Sequence, residues 1–272
     1  MHLSGLFLYP VKSLGGFAVD SADLDALGFI GDRRFLVVDE TGRFLTQRAL
    51  PRMALVATAL DATHLTLSTS PANSVRIARA SDPAAPLRTV SVWKSENLLA
   101  EDCGDAPAQF LSDFLGTRCR LVRIGEKFSR PILKAVARPG DVVTFADAYP
   151  LLVISEASLA DLNDRLAERG EDALPMNRFR PNLVVAGCPA FAEDTWTTFR
   201  LGTATFRTGG ACVRCIMTTT DQETAERGKE PLRTLATYRR SAAASTDVIF
   251  GQNLIHETKS GRLRVGDAVA LL

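Results

Sequence analysis

The sequence predicts an α+β protein, predominantly β, built around a closed or nearly closed β-barrel with a few helices. Three observations carry that expectation. Apolar residues alternate with period two over short runs, turn residues (Gly, Pro, Asp, Asn) punctuate those runs, and helical spacing is confined to the neighbourhoods of Phe110 and Leu162. Closure follows from strand chemistry, because an open sheet of short strands leaves backbone edges free to pair with other chains.

In chain order, Phe35 to Asp39 and Phe44 to Thr46 flank Glu40-Thr41-Gly42-Arg43, a hairpin turn with Gly at the permissive position. Leu65 to Ser68 alternates strictly. Ser70 to Ala85, rich in Ser, Pro, Ala and Asn, reads as a surface connection, with Val75, Ile77 and Val90 to Trp93 as strands around it. Asp105 is placed to cap a helix over Ala106 to Leu115. There Phe110 pairs with Phe114, and Leu111 with Leu115, at i, i+4 before Gly116 stops the helix. A polar stretch from Arg123 to Ser129 marks a boundary. Beyond Pro150, Leu151 to Ile154 is strand-like and Ser155 is an N-cap for a helix with Leu159, Leu162 and Leu166 on one face. Asp161 and Arg165 stand at i, i+4 on its exposed side. Asn182 to Ala186, Thr205 to Thr208, Val248 to Phe250 and Leu263 to Leu271 return to strand.

Of the 272 residues, 46% are hydrophobic, enough for one large domain or two modest ones. The 32 basic and 31 acidic side chains nearly cancel, so the balance argues against nucleic acid or an anionic membrane surface as a partner. The first ten residues lack a basic leader and a long apolar run, and no run approaches a membrane span; a cytoplasmic location is expected. The cysteines, Cys103, Cys119, Cys188, Cys212 and Cys215, are an odd set without disulfide spacing and are expected to be reduced.

The chemistry concentrates in Gly209-Gly210-Ala211-Cys212-Val213-Arg214-Cys215-Ile216-Met217-Thr218-Thr219-Thr220-Asp221, two thiols and a guanidinium beside a glycine pair. Such a pair can be half a zinc site, a redox dithiol or two buried small hydrophobes. Zinc lacks a second ligand pair, since Cys188 and His256 are isolated. A thioredoxin-type dithiol needs a helix N-terminus, whereas β-branched Ile216 to Thr220 reads as a turn feeding a strand. Hydrolysis has no Gly-x-Ser-x-Gly elbow and only His2, His64 and His256 as imidazoles; Ser13-Leu14-Gly15-Gly16 is too short for a phosphate loop. What remains is a set of cations at bends: Lys12, Arg33, Arg34, Arg178, Arg180 and Arg214. If they converge, they form an anion pocket beside a soft-metal ligand, the two demands of a molybdopterin.

Ordered motifs run nearly end to end: Tyr9-Pro10-Val11-Lys12-Ser13, Gly31-Asp32-Arg33-Arg34-Phe35, Pro150 to Leu162, Phe179-Arg180-Pro181-Asn182, Glu193-Asp194-Thr195-Trp196, Cys212 to Asp221 and Phe250-Gly251-Gln252-Asn253. In these the chain resembles the MOSC-domain proteins, in particular the two-part group that includes the mitochondrial amidoxime-reducing component and its bacterial relatives. The resemblance implies an N-terminal β-rich MOSC domain over 1–123, a MOSC barrel over 124–272 and a molybdenum cofactor (Mo-molybdopterin) between them. It implies Cys215, and not Cys212, as thiolate ligand to molybdenum. Lys12, Ser13, Arg33, Arg180, Asn182, Val213 (through its backbone) and Arg214 align with positions that hold the pterin and its phosphate. Asn253 stands where animal members carry Tyr, Tyr149 departs from their small polar residue, and Asp147 falls where an acid faces the metal, as a proton carrier. Arg214 is expected to favour the Cys215 thiolate.

The implied activity is reduction of N-hydroxylated compounds such as hydroxylamines, amidoximes and N-hydroxy nucleobases. The sequence to Leu272 holds no Cys-x4-Cys-x2-Cys ferredoxin run, so electrons are expected from a separate ferredoxin, flavodoxin or cytochrome with its reductase. Two other classes remain: a non-catalytic carrier of molybdenum cofactor or sulfur, with Cys215 as a persulfide, and a structural protein whose thiols are core.

Overall fold

Eight strands make one sheet in the spatial order Val269–Leu271, Thr198–Leu201, Ala204–Val213, Ile249–His256, Leu151–Ser155, Leu183–Ala186, His2–Leu8 and Phe17–Val19. The computed structural model describes residues 1–272, mostly as strands with three α-helices. The first and last strands of the chain are brought together at the barrel's seam. Leu3 N donates to Asp267 O at 2.8 Å, Gly266 N to Leu3 O at 2.7 Å and Val269 N to Met1 O at 3.1 Å. Those bonds satisfy backbone groups that an open edge would expose.

Alternation within the strands sorts side chains to the two faces. Leu151 and Val153 join an interior cluster of 18 buried residues that includes Leu183, Val185, Phe199, Phe206 and Leu254. Ile154 points the other way, to Leu162, Leu166, Phe179 and Phe250 beneath the helix Glu156–Ala167. Each such apolar side chain contributes about 1.5–3 kcal/mol on burial. That helix is the crossover of the parallel pair Leu151–Ser155 and Leu183–Ala186, and Ser155 caps it as expected, accepting from Ser158 N. Arg165 reaches Asp161 at 2.7 Å.

Residues 1–29 contribute to this half of the molecule: Ser21–Asp25 pairs with Gly261–Arg264. The other half holds a four-stranded sheet of Phe35–Val38, Arg120–Arg123, Ser95–Asp102 and Leu87–Val92, and a three-stranded meander of Ala57–Leu60, His64–Ser70 and Asn73–Ala78. The helix Asp105–Leu115 packs Leu111 and Leu115 onto the cluster around Phe35, Leu65 and Leu121. Gly116 ends it at φ +68°, where a side chain would strain the backbone.

Local departures from the sequence-based expectations have identifiable causes. Gly104 occupies the cap position and Asp105 is the first helical residue; Gly104 N is held by Asp102 Oδ1 at 2.8 Å. Asp39 Oδ1 closes the turn before Arg43, but the second arm makes only the Phe44 bridge before Thr46 to Leu50 fold into another turn. Leu263 to Leu271 is two strands separated at Gly266. The β-branched run after Cys215 is a 3₁₀ turn, Ile216–Thr219, because Thr218 Oγ1 bonds Cys215 O at 3.0 Å and Thr219 Oγ1 bonds Ile216 O at 2.9 Å. Hydroxyls returning to their own backbone compete with strand pairing.

His256 makes the barrel sensitive to acid. It is fully buried, with Nε2 2.8 Å from Asp25 O and Nδ1 without a partner. Burial, reinforced by the Lys259 ammonium, pushes its pKa down to about 4. An unfolded imidazole titrates near 6.5, so the unfolded chain takes up the proton first as pH falls. The stability due to the neutral ring is complete above about 6.5 and is lost as pH falls through about 4, roughly 3 kcal/mol in all. Urea titrations at pH 7 and pH 4.5 should show that slope flattened in His256→Leu; parallel curves for the two proteins would refute it.

Candidate active site

A cavity of about 140 Å³ lies where the loop after His2–Leu8, the bends at Arg33 and Arg48, the entry to Leu151–Ser155, the segment Arg178–Asn182 and the Cys212–Thr218 turn converge. Lys12, Ser13, Arg33, Asp147, Arg180, Asn182, Val213, Arg214, Cys215 and Asn253 all stand on its wall. The structure therefore brings together all the residues that the resemblance implies for the site. Of the cations expected to converge, Arg34 does not join them; its guanidinium is turned to Asp25, 2.6 Å away, and to Phe29 O.

One side of the cavity is a strained cationic bowl. Ser13, Arg33 and Arg180 hold left-handed backbone at φ +67°, +47° and +57°. Non-glycine residues occupy that region at a cost of about 1–3 kcal/mol each and gather at sites where geometry outranks stability. Both the Arg33 and Arg180 guanidinium carbons lie 4.3 Å from the centroid of the Tyr9 ring. Arg33 is oriented by Asp32 at 2.7 Å and by Asn182 Oδ1 at 2.8 Å. Asn182 Nδ2 in turn donates to Phe7 O at 3.1 Å, so that side chain acts on the site by aiming Arg33.

Electrostatics follow from enclosure. Burial lowers the Arg180 pKa to about 10, with Arg33 adding to the effect and Tyr9 and Asp32 opposing it. Burial lowers Lys12 to about 8 against the pull of Asp147, while Arg130 and Arg33 push in the same direction as burial. Partial desolvation within the cavity would raise Asp147, but its ion pair with Lys12, a bond from Trp93 Nε1 at 2.9 Å and the Arg48 charge hold its carboxyl below the usual range. The Asp147 side chain is 58% exposed, so it faces open cavity space.

The opposite side carries the sulfur. Ala204–Val213 delivers the cysteine pair, and Gly209 permits it: a Cβ there would lie 2.3 Å from the Tyr149 ring. Tyr149 thereby becomes a wall of the cavity. Cys215 sits at the N-terminal end of the 3₁₀ turn, half-buried. Arg178 fixes that turn from below, through Thr218 O and Asp221. Arg214, expected beside the Cys215 sulfur, instead places Nη1 2.8 Å from Cys212 Sγ and Nη2 2.6 Å from Phe179 O. Burial pushes the Cys212 thiol pKa up, against Arg214.

The cation that reaches Cys215 is Arg48, with Nη2 3.1 Å from Sγ and its guanidinium stacked 4.4 Å from the centroid of Trp93. Neither residue was singled out from the sequence. Both come from the other half of the molecule, and Arg48 is held there by a latch of backbone and amide bonds. Gln47, completely buried, donates to Ser13 O at 2.9 Å and exchanges bonds with the Gln222 amide, while Arg227 bonds Gln47 O and Arg48 O.

Residues 1–118 match the MOSC N-terminal beta barrel domain and residues 140–270 the MOSC domain. The chain belongs to the MOSC-domain family. Over 282 residues it is 38% identical to mitochondrial amidoxime-reducing component 1 of Mus musculus, a match that covers 98% of this chain and 81% of that one. Against the Homo sapiens protein of the same name it is 36% identical over 286 residues, covering 98% and 82%. Mitochondrial amidoxime reducing component 2 of Bos taurus is 36% identical over 282 residues. In this MOSC chain no helix is long and apolar enough to cross a membrane, and no three His, Cys, Asp or Glu side chains gather as a metal cluster.

Proposed function

We propose that this chain is a molybdenum-cofactor-dependent oxidoreductase that reduces N-hydroxylated compounds in the cytoplasm, taking electrons from a separate ferredoxin, flavodoxin or cytochrome. One observation carries the reading: a half-buried thiol, Cys215, shares a small cavity with the cations Lys12, Arg33 and Arg180, of which Lys12 is buried and the two arginines hold left-handed backbone. That is a soft-metal ligand beside an anion pocket. Its relatives, the mitochondrial amidoxime-reducing components, suggest the reaction class.

The donor set fits such a group. Ser13 Oγ, Arg48 Nη1 and Arg214 Nε are buried polar atoms without a protein partner around the cavity, and buried donors in excess call for an acceptor. Lys12, Arg33 and Arg180 would hold the pterin and its phosphate, with Ser13 and the Val213 backbone beside them. Asn182 would act through Arg33. Arg214 keeps the Cys212–Phe179 side closed, and Asn253, bonded to Gly210 O at 3.1 Å, would border the pterin. Cys215 would ligate the metal. When bound, the cofactor supplies a centre that accepts oxygen from an N–OH group and is reset by electrons.

The net change, R–NHOH + 2H⁺ + 2e⁻ → R–NH₂ + H₂O, requires protons at the cavity. Asp147 is kept ionised by Lys12, so the labile proton of that pair resides on Lys12 Nζ, and Asp147 directs it toward the open cavity. We take 1–123 and 124–272 as the two domains, with the cofactor between them.

Protein from a cofactor-competent host should contain close to one molybdenum per chain by plasma mass spectrometry. It should turn over benzamidoxime with reduced viologen. Metal without turnover of any N-hydroxylated compound would point to a carrier, and absence of metal in a host that loads other molybdoenzymes would overturn the reading.

A further inference from the structure

The Cys215 cavity opens into a larger one of about 610 Å³, and the two share Arg48, Asp147, Tyr149, Cys212, Val213 and Asn253. The larger space has the size of a small-molecule site. Its walls are flat and apolar where they rise from the protein: Trp93 is 46% exposed, Leu133 61% and Val213 50%. Exposed apolar groups of this size gathered around one opening are unusual on a surface and mark a place of contact.

Charge around this space is lopsided. Four cations line it, Arg48, Lys94, Arg130 and Lys134, against one carboxylate, Asp147. Asp147 is already engaged by Lys12 and Trp93. Arg130 is spent on the carbonyls of Thr144, Ala146 and Asp147, and Arg48 on Cys215 and the Trp93 face. Lys94 and Lys134 are exposed and have no carboxylate partner. Two uncommitted ammonium groups therefore stand at the mouth, beyond the flat walls.

Resting on the function proposed above, we propose that the larger cavity is the substrate chamber and that it selects flat N-hydroxylated compounds carrying an anionic group, a carboxylate or phosphate, at the end remote from the N–OH. The flat body lies along Trp93 and Tyr149, the N–OH faces Cys215 and Asp147, and the remote anion meets Lys94 and Lys134. A cationic substrate of the same shape meets like charge at that position and binds worst.

The test uses cofactor-loaded, oxidised protein without reductant, so that binding is measured apart from turnover. Benzamidoxime, its 4-carboxy derivative and its 4-trimethylammonio derivative are titrated by calorimetry and by quenching of Trp93 fluorescence. Trp196 is buried, and Trp93→Phe identifies its share of the signal. Two exposed ion pairs give the carboxylate roughly a fivefold advantage over the neutral compound. Lys94→Glu/Lys134→Glu, both on the surface, should remove or invert that advantage. Equal affinities for the three compounds, or an order that the double variant leaves intact, would overturn the proposal.

Viologen-driven turnover of the same compounds separates the two readings. Anion-selective binding with no turnover supports the chamber and overturns the reductase. Turnover of all three with one KM supports the reductase and overturns the selection.

Discussion

Cys215→Ala should leave a folded protein that retains little molybdenum and reduces benzamidoxime more slowly by far more than the roughly 10–100-fold that loss of a supporting group around a metal site costs. The expectation follows from the chemistry of the donor and from where the fold places it. Cys215 lies at the end of a 3₁₀ turn, with Arg48 Nη2 3.1 Å from its sulfur, whereas the Cys212 sulfur on the same cavity wall is engaged by Arg214. Serine is no substitute: its oxygen is hard where a soft donor is required, so Cys215→Ser should resemble the alanine variant rather than the wild type. Cys212→Ala is the informative contrast. Its sulfur is engaged by Arg214 at 2.8 Å and its thiol is discouraged from ionising by burial, so it should retain metal and lose much less activity. Metal per chain by plasma mass spectrometry and viologen oxidation on the same samples decide the matter. Full metal and undiminished turnover in Cys215→Ala would remove the thiolate from the mechanism.

The elements written in local chemistry were legible in the sequence. Ser155 before a helix with Leu162 and Leu166 on one face, and Gly116 after Leu115, need only neighbouring residues to be interpreted, and both stand where they were expected. Barrel closure was legible as a need, but its seam was not, since Leu3 and Asp267 meet across almost the whole chain. Thr218 and Thr219 misled because β-branched residues favour strands unless their hydroxyls find carbonyls three residues back, which depends on the turn already existing. Most residues on the cavity wall that were named in advance stand in the ordered motifs, among them Lys12, Arg33, Arg180 and Cys215, whereas Asp147 lies outside all of them. Arg48 and Trp93 were not named, because nothing in Thr46-Gln47-Arg48-Ala49 or Val92-Trp93-Lys94 signals a destination. The approach of Arg48 to Cys215 is supported by the neighbouring Gln47 and by Gln222, two amides whose partnership exists only after the halves have docked. Arg214 illustrates the same limit from the other side, since adjacency in sequence placed it next to Cys215 and the fold turned it to Cys212.

Arg180→Met should make the cofactor-free protein more stable and the cofactor harder to keep. Arg180 lies in a crowded field: its charge is desolvated enough to bring its pKa down to about 10, Arg33 shares the same Tyr9 ring, and its best side-chain acceptor, Gln222 Oε1, is 3.5 Å away. Methionine keeps the volume over Tyr9 while removing the buried charge. The lost cation–π contact costs about 0.5–1 kcal/mol. Against it, well-packed hydrophobic side chains in place of buried ionic groups are neutral to stabilising by about 1–4 kcal/mol, and Arg180 has no carboxylate within ion-pair distance to lose. The balance favours the variant by about 1–2 kcal/mol, or roughly 2–5 °C in the melting temperature of cofactor-free protein. The left-handed strain at Arg180 is unchanged, because methionine bears it equally. Binding moves the other way: removing one of the convergent guanidiniums from an anion it meets in a desolvated pocket costs about 2–5 kcal/mol, so molybdenum per chain should fall steeply after gel filtration. Thermal denaturation of protein from a cofactor-deficient host and metal content from a competent one give the two signs independently. A residue retained for packing would lower stability on replacement and leave metal content near normal. Opposite signs are what an anion clamp requires, since the same uncompensated charge that burdens the empty fold is the one that the bound phosphate neutralises.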